Sequence, residues 1–172
     1  MPALLVLDTE LVLRKGKDTR TVPLNEFYLG YQQNALASGE FVERIRIPML
    51  RQDEVLRSYK VSKRFDQDIS AVCGAYRLRL NGDDVGDIKI AYGGLAATPK
   101  RATVVEKALN GSAWNEASVR TAMETLSSDF QPISDMRATA DYRFSVSQNL
   151  LYRFWLEVGD KAVATDVYNY GR

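Results

Sequence analysis

Apolar residues come in short runs with strand-like alternation over the first half of the chain and at helical spacing over the second. Ala3-Leu4-Leu5-Val6-Leu7 is apolar almost from the first residue and reads as a strand. Leu11-Val12-Leu13, the turn Lys15-Gly16-Lys17-Asp18 and the run Thr19 to Val22 read as a hairpin beside it. Pro23 to Phe27 suits a short helical turn that begins at proline. Gly30 and Gly39 punctuate a loop, Phe41 to Ile47 alternates until Pro48, and Val55 to Ser62 is a further strand. The clearest hairpin follows. Tyr76, Leu78 and Leu80 alternate with arginines, Asn81-Gly82-Asp83-Asp84 makes the turn, and Ile88, Ile90 and Tyr92 alternate on the return. Period-two patterning on both arms of an Asn-Gly turn predicts a sheet with one covered face.

The remainder reads as helix. Thr98 before Pro99 has the form of an N-cap and a first helical proline, and Gly111 follows that helix. Val119, Ala122, Met123 and Leu126 share one face of a second helix, capped by Asn115. Tyr142, Val146, Leu150 and Phe154 recur every fourth residue, which predicts a long helix from Ala140 to about Val158. Strands first and helices afterwards imply an α+β fold, a small antiparallel sheet with about three helices on one face. The abrupt apolar start implies a missing neighbour strand, and an edge at Ala3 to Leu7 that invites self-association of the isolated chain.

Composition excludes more than it suggests. With 23 basic and 22 acidic residues in 172, net charge is +1, which gives no reason to expect nucleic acid or a membrane as partner. There is no histidine, so histidine acid–base work, Ser-His triads and most zinc sites are excluded. Cys73 is the only cysteine; it cannot form an internal disulfide or hold an iron–sulfur cluster, and its apolar neighbours read as those of a buried, inert thiol. No apolar stretch reaches the ~20 residues that span a bilayer. One unpaired thiol with no export signal in view makes the cytoplasm the expected compartment.

The most informative stretch runs from Tyr59 to Val72. It sets Lys60, Lys63, Arg64, Asp66, Gln67 and Asp68 between apolar anchors and reads as a strand that leaves the core and re-enters at Ile69. Such loops are where ligands are usually met. Lys60 has two readings, a hydrogen bond to a cofactor or an ion pair with Asp66 or Asp68, and composition favours the pair. Arg137 and Arg143 flank a helix start, where they either bind an anion or pair with Asp135 or Asp141. Gly93-Gly94 either lets a ligand approach or turns a strand tightly. Tyr28 and Tyr31 either stack on a planar ring or plug their loop, and Trp114 and Trp155 read as core or interface anchors. There is no Walker loop and no Gly-x-Gly-x-x-Gly.

Several motifs occur in order. They are Phe27-Tyr28-x-Gly30-Tyr31, Gly39-Glu40-Phe41-Val42-Glu43, Tyr59-x-x-Ser62 continuing through Gly74, Ile90 to Ala96, Pro99 to Ala102, Asp129-Phe130-x-Pro132-x-Ser134-Asp135-Met136-Arg137-Ala138, and Tyr142-Arg143 with Asn149-Leu150-Leu151. From Phe27 to Val158 they resemble the C-terminal part of the FAD-bearing subunits of bacterial xanthine dehydrogenases, members of the molybdenum hydroxylases. The flavoproteins of carbon monoxide dehydrogenases and aldehyde oxidases are nearby alternatives, and a non-enzymatic interaction module is a rival of another class.

The resemblance implies a division into residues 1–48, the last strands of an FAD-binding domain; 49–160, a flavoprotein C-terminal domain; and 161–172, a loose tail. It implies that the loop wrapping the FAD pyrophosphate lies upstream, and that the [2Fe-2S] clusters and the molybdenum cofactor lie elsewhere in the complex. In that family, electrons from hypoxanthine or xanthine pass from molybdenum through the clusters to FAD and on to NAD. The partners implied are the molybdenum-cofactor subunit and the upstream part of the FAD subunit. The site residues implied are Val42, which meets FAD through its backbone; Lys60, at the flavin ring; Tyr31, near the nicotinamide; and Arg64, Asp66, Gln67 and Asp68, on the NAD side. No catalytic residue and no metal ligand is implied here. Gln32 departs from the arginine many relatives carry, and Gln67 from the acid of animal relatives.

Overall fold

The computed structural model describes residues 1–64, 69–158, 163 and 165. The first part of the chain forms α1 (Pro2–Val6), β1 (Glu10–Lys15), β2 (Asp18–Pro23), the single turn α2 (Leu24–Phe27), β3 (Tyr28–Gly30), β4 (Gln33–Asn34) and β5 (Phe41–Arg46). The rest forms β6 (Glu54–Val61), β7 (Val72–Asn81), β8 (Asp84–Gly93), β9 (Lys100–Arg101), α3 (Thr103–Leu109), α4 (Glu116–Glu124), α5 (Leu126–Asp129) and α6 (Ala140–Glu157). Three antiparallel sheets result, in the orders β2-β1-β5, β3-β4 and β6-β7-β8-β9. This is the expected α+β arrangement, with four helical segments rather than about three behind the larger sheet. No helix among the described residues is long and apolar enough to cross a membrane.

The β7–β8 hairpin organises everything else. Its Tyr76, Leu78, Ile88, Ile90 and Tyr92 point to the helices and pack with Leu109, Val119, Leu126, Leu151 and Phe154. Tyr76 stacks on Phe154 with ring centroids 5.0 Å apart, and its hydroxyl donates to that of Tyr92, which donates to the Ser147 carbonyl. The opposite face is covered too, contrary to the one-face expectation. Ala75 and Ala91 are direct cross-strand partners, and their small side chains admit α1, so that Leu5 and Val6 join them in a second core with Leu11, Leu13, Val22, Leu24 and Phe27.

The apolar run at residues 3–7 is therefore helix, not strand, and the exposed edge expected there does not exist. A short unbroken apolar run fits a buried helix as well as a buried strand. Pro2 at the first turn decides for helix by pre-setting its φ, and the Met1 carbonyl accepts from the amides of Leu4 and Leu5 at 3.0 and 3.2 Å.

The expected helix start at Thr98-Pro99 is also displaced. Lys100 and Arg101 instead add to β8 as β9, and α3 begins at Thr103. Ala102 cannot cap it. Asp129 does so from α5, accepting the amides of Val104 and Val105 at 2.9 and 3.1 Å. Two other caps stand as expected or as the local pattern requires: Asn115 accepts from the Ser118 amide, and Thr139 from that of Tyr142.

The mouth of the charged loop is locked from behind by α6. Arg143, 4% exposed, donates through Nη1 to the carbonyls of Ala71 and Gly94 at 2.5 and 2.9 Å, and through Nη2 to Asp135 at 2.6 Å. Gly94 has φ +88°, and a Cβ there would lie 2.3 Å from the Ala71 oxygen. Of the two readings of the glycine pair, Gly94 thus follows the structural one: it lets two chain segments close together. Ile69 is not the anchor expected on re-entry; it is 53% exposed, and burial resumes at Ala71 and Val72. Cys73, expected to be buried, is only partly so.

Asp135 gathers this corner. It accepts the Arg137 amide at 2.8 Å and the Ala138 amide at 3.2 Å, and pairs with both Arg137 and Arg143. The Arg137 amide foremost, with the Arg143 guanidinium, holds its carboxyl down to about 2 against the opposing effect of burial. A depressed carboxyl stabilises the fold above its unfolded value and ceases to do so as pH falls through the folded one. The thermal stability of the native chain should exceed that of Asp135→Asn most above about pH 4, and the gap should close as pH approaches about 2. Asp129→Ala should destabilise the chain by about 1–2 kcal/mol in urea unfolding, since it strips the cap from α3.

Candidate functional site

Strand register defines one side of the site. Lys60 on β6 is paired with Cys73 on β7, which is paired with Gly93 on β8. Because side chains alternate along a strand, this row shares its face with Ala75 and Ala91, two residues away, and so with α1. A Cβ on Gly93 would meet Pro2 Cγ at 3.4 Å, which places the start of α1 over the β8 end of the row. Lys60, at the β6 end, is exposed, so burial does not oblige it to pair. The row thus runs from α1 to an exposed cation, along the seam between the first part of the chain and the larger sheet.

Next to Lys60 the strand ends open into a cleft of about 430 Å³. Val61, Ser62, Lys63 and Ala71 form one wall, and Arg137, Thr139 and Tyr142 at the start of α6 the other. Lys63 Nζ donates across it to the Met136 carbonyl at 3.3 Å. Ile69, Ile133 and Met136, close in sequence to these walls, are exposed. A second cavity of about 260 Å³ lies between the β3–β4 hairpin and residues 97–99, lined by Tyr28, Gly30, Gln32, Gln33 and Asn34.

The residues singled out from sequence fall on three sheets. Lys60 ends β6, with Arg64 exposed four residues on. Val42 lies on β5, which closes the β2-β1-β5 sheet at one edge. Tyr31, 73% exposed, stands at the tip of the β3–β4 hairpin, while Tyr28 packs edge-on against Phe27 at 5.2 Å. Asp66, Gln67 and Asp68 lie outside the described residues, and with them the ion-pair reading of Lys60. The alternatives at Arg137 and Arg143 resolve to Asp135 as their common partner. Sequence reading missed the wall contributed by Thr139 and Tyr142, and the hairpin cavity. The former had a usable signal, since Thr139 stands directly before the helical pattern as a capping residue does; the latter joins residues far apart in sequence and had none.

Chemically, the described residues offer cations, hydroxyls and backbone groups that can bind and orient a ligand. The chain has no histidine, and no cluster of three or more metal-ligating side chains occurs among the described residues. An exposed ammonium on a flat sheet face suits the carbonyl edge of a planar ring. A β5 edge with no strand beyond it, among the described residues, leaves backbone groups for a cofactor to meet. These features fit the ring side of a flavin.

Comparison with known proteins identifies the family. Residues 57–158 match the family described as the CO dehydrogenase flavoprotein C-terminal domain, and residues 1–50 the FAD binding domain in molybdopterin dehydrogenase. Nicotinate hydroxylase of Emericella nidulans is 34% identical over 93% of this chain and 12% of its own length. Xanthine dehydrogenase of the same organism is 32% identical over 91% of this chain and 12% of its own. The crystal structure of a Cu,Mo-CO dehydrogenase superposes with a TM-score of 0.81 at 27% identity, covering 89% of this chain and 54% of that one. The chain therefore spans about an eighth of those curated relatives and about half of that solved chain. By these matches it belongs to the CO dehydrogenase flavoprotein C-terminal domain family, preceded by part of an FAD-binding domain of the molybdopterin dehydrogenases.

Proposed function

We propose that this chain is the ring-side half of the FAD site in a xanthine-oxidising molybdenum hydroxylase that delivers its electrons to NAD. The observation that carries this reading is the position of Lys60: an exposed cation on the sheet face that the FAD-binding part covers. FAD, when bound, would take electrons from the iron–sulfur clusters of the complex and pass hydride to NAD. Lys60 would place positive charge where the reduced ring carries negative charge, and so favour reduction. Val42 would meet the cofactor through the β5 backbone. Tyr31, Arg64, Asp66, Gln67 and Asp68 would border the acceptor side, next to the cleft walled by Lys63 and Arg137.

Residues 1–48 would complete the FAD-binding domain and 49–160 form the second domain, with the molybdenum-cofactor subunit and the preceding part of the FAD subunit as partners in the cytoplasm. Xanthine is favoured by the run Lys63 to Gly74, which resembles bacterial xanthine dehydrogenases. The superposition on CO dehydrogenase supports a second reading, in which the flavin role is unchanged and a different substrate is oxidised at molybdenum.

In the assembled enzyme, Lys60→Met should lower xanthine-dependent NAD reduction by roughly tenfold or more. Xanthine-dependent bleaching of a dye that accepts electrons before the flavin should stay unchanged. Equal loss in both assays would sink the flavin-side placement of Lys60, and absence of xanthine turnover in the unmodified enzyme would sink the substrate. The chain alone, which carries no glycine-rich phosphate loop, should bind FAD no more tightly than about millimolar in a flavin-fluorescence titration. Tight stoichiometric binding abolished by Lys60→Ala would instead make this chain a complete cofactor domain.

A further inference from the structure

α1 touches the large sheet at two places with different physics. Leu5 and Val6 press on Ala75 and Ala91, an apolar contact that holds the helix down but, being non-directional, does little to fix where along the strands it lies. Just beyond α1, Asp8 supplies the directional contact. Its carboxylate accepts from Arg77 at 3.1 Å, from Lys89 at short range, and lies 3.5 Å from Arg101. Arg77 and Lys89 are cross-strand partners on β7 and β8, and Arg101 comes from β9, so one carboxylate spans three adjacent strands. Asp87 and Glu54 flank Arg77 at 3.2 and 3.7 Å, and Glu106 holds Arg101, so both arginines are aimed by other carboxylates as well as by Asp8. Asp8 itself sits at φ +52°, a conformation side-chain-bearing residues seldom adopt and one that Asp and Asn tolerate best.

Arg77–Lys89 and Cys73–Gly93 are rows of one face, four residues apart along β7, which is about 13 Å at the usual strand rise. α1 lies between them. Asp8 fixes its far end on the first row, and Pro2 meets Gly93 in the second, which is the row of Lys60. We propose that Asp8 is a positioning residue for the flavin: by pinning α1 along β8 it sets where the FAD-binding part meets the Lys60 row, and hence how closely the ring approaches the Lys60 ammonium. This rests on the flavin-side reading of Lys60.

The sign of one measurement separates this role from simpler ones. Removing a negative charge would, acting directly, ease reduction and raise the flavin potential, though weakly across a distance beyond the ~8 Å Debye length. Loss of alignment with Lys60 would lower it. In the assembled FAD-containing enzyme, Asp8→Asn, which suits the local backbone, is expected to retain stoichiometric FAD, to shift the flavin midpoint potential downward in spectroelectrochemical titration, and to slow NAD reduction by roughly tenfold. In a Lys60→Met background the same substitution should shift nothing further. Arg101→Gln, which opens the same contact from the β9 side, should show the same dependence on Lys60 and serves if Asp8→Asn folds poorly. Asp8→Glu should recover part of the potential. An unchanged or raised potential in Asp8→Asn, or shifts that add to that of Lys60→Met, would overturn the proposal. A Lys60→Met enzyme with native flavin potential would overturn the flavin-side reading itself, and this inference with it.

Discussion

Burial of the β7–β8 hairpin on both faces is the constraint on which the rest of the structure depends. One face carries large side chains and collects α3 to α6. The other carries Ala75 and Ala91 and collects α1, with the β1–β2 hairpin behind it. Two families of sequence thereby share one pair of strands: residues 1–50 match an FAD-binding domain and residues 57–158 a flavoprotein C-terminal domain, yet the second core contains residues from both. A cofactor lying on that seam would be held by two parts that cannot shift relative to one another without uncovering apolar surface.

How much of this was legible in the sequence follows from the range of each interaction. The Asn81-Gly82 hairpin, the Asn115 cap and the long α6 are written in neighbours, and local pattern found them. The start of α3 is written in Asp129, more than twenty residues downstream, and no local rule points there. Residues 3–7 carry no period to distinguish a buried strand from a buried helix; Pro2 was the clue, and its weight became clear only with the small-residue face beneath it. The second covered face was itself in view, since Ala75 and Ala91 stand where a solvated strand would carry polar side chains. In the candidate site, the strand pattern placed Lys60 late in β6 and the resemblance alone singled it out for a cofactor, while its facing depends on register with Cys73 and Gly93. The partner of Arg137 and Arg143 was narrowed to two carboxylates, and geometry chose Asp135.

Charge among the described residues is distributed unevenly between buried and exposed cations. The buried cation Arg143 is spent on the carbonyls of Ala71 and Gly94 and on Asp135, which fixes the loop mouth. Arg77, also buried, is enclosed by Asp8, Asp87 and Glu54. Both buried cations meet carboxylates within the fold, as buried ions must. Lys60 differs in being exposed, on the sheet face at the seam.

Such a division of labour would explain why relatives named for different activities resemble this chain to a similar degree. Nicotinate hydroxylase and xanthine dehydrogenase are 34% and 32% identical to it, and a CO dehydrogenase shares its fold. If the oxidised substrate were recognised here, those similarities should diverge with the chemistry of the substrate. On the proposed reading, a part that sets the distance and charge around a flavin would face the same physical problem in each, because the electrons reaching that flavin would carry no record of the molecule they came from. The Arg143 corner, the α1 seat and the Asp8 contact are the features of this structure that such a role would draw on.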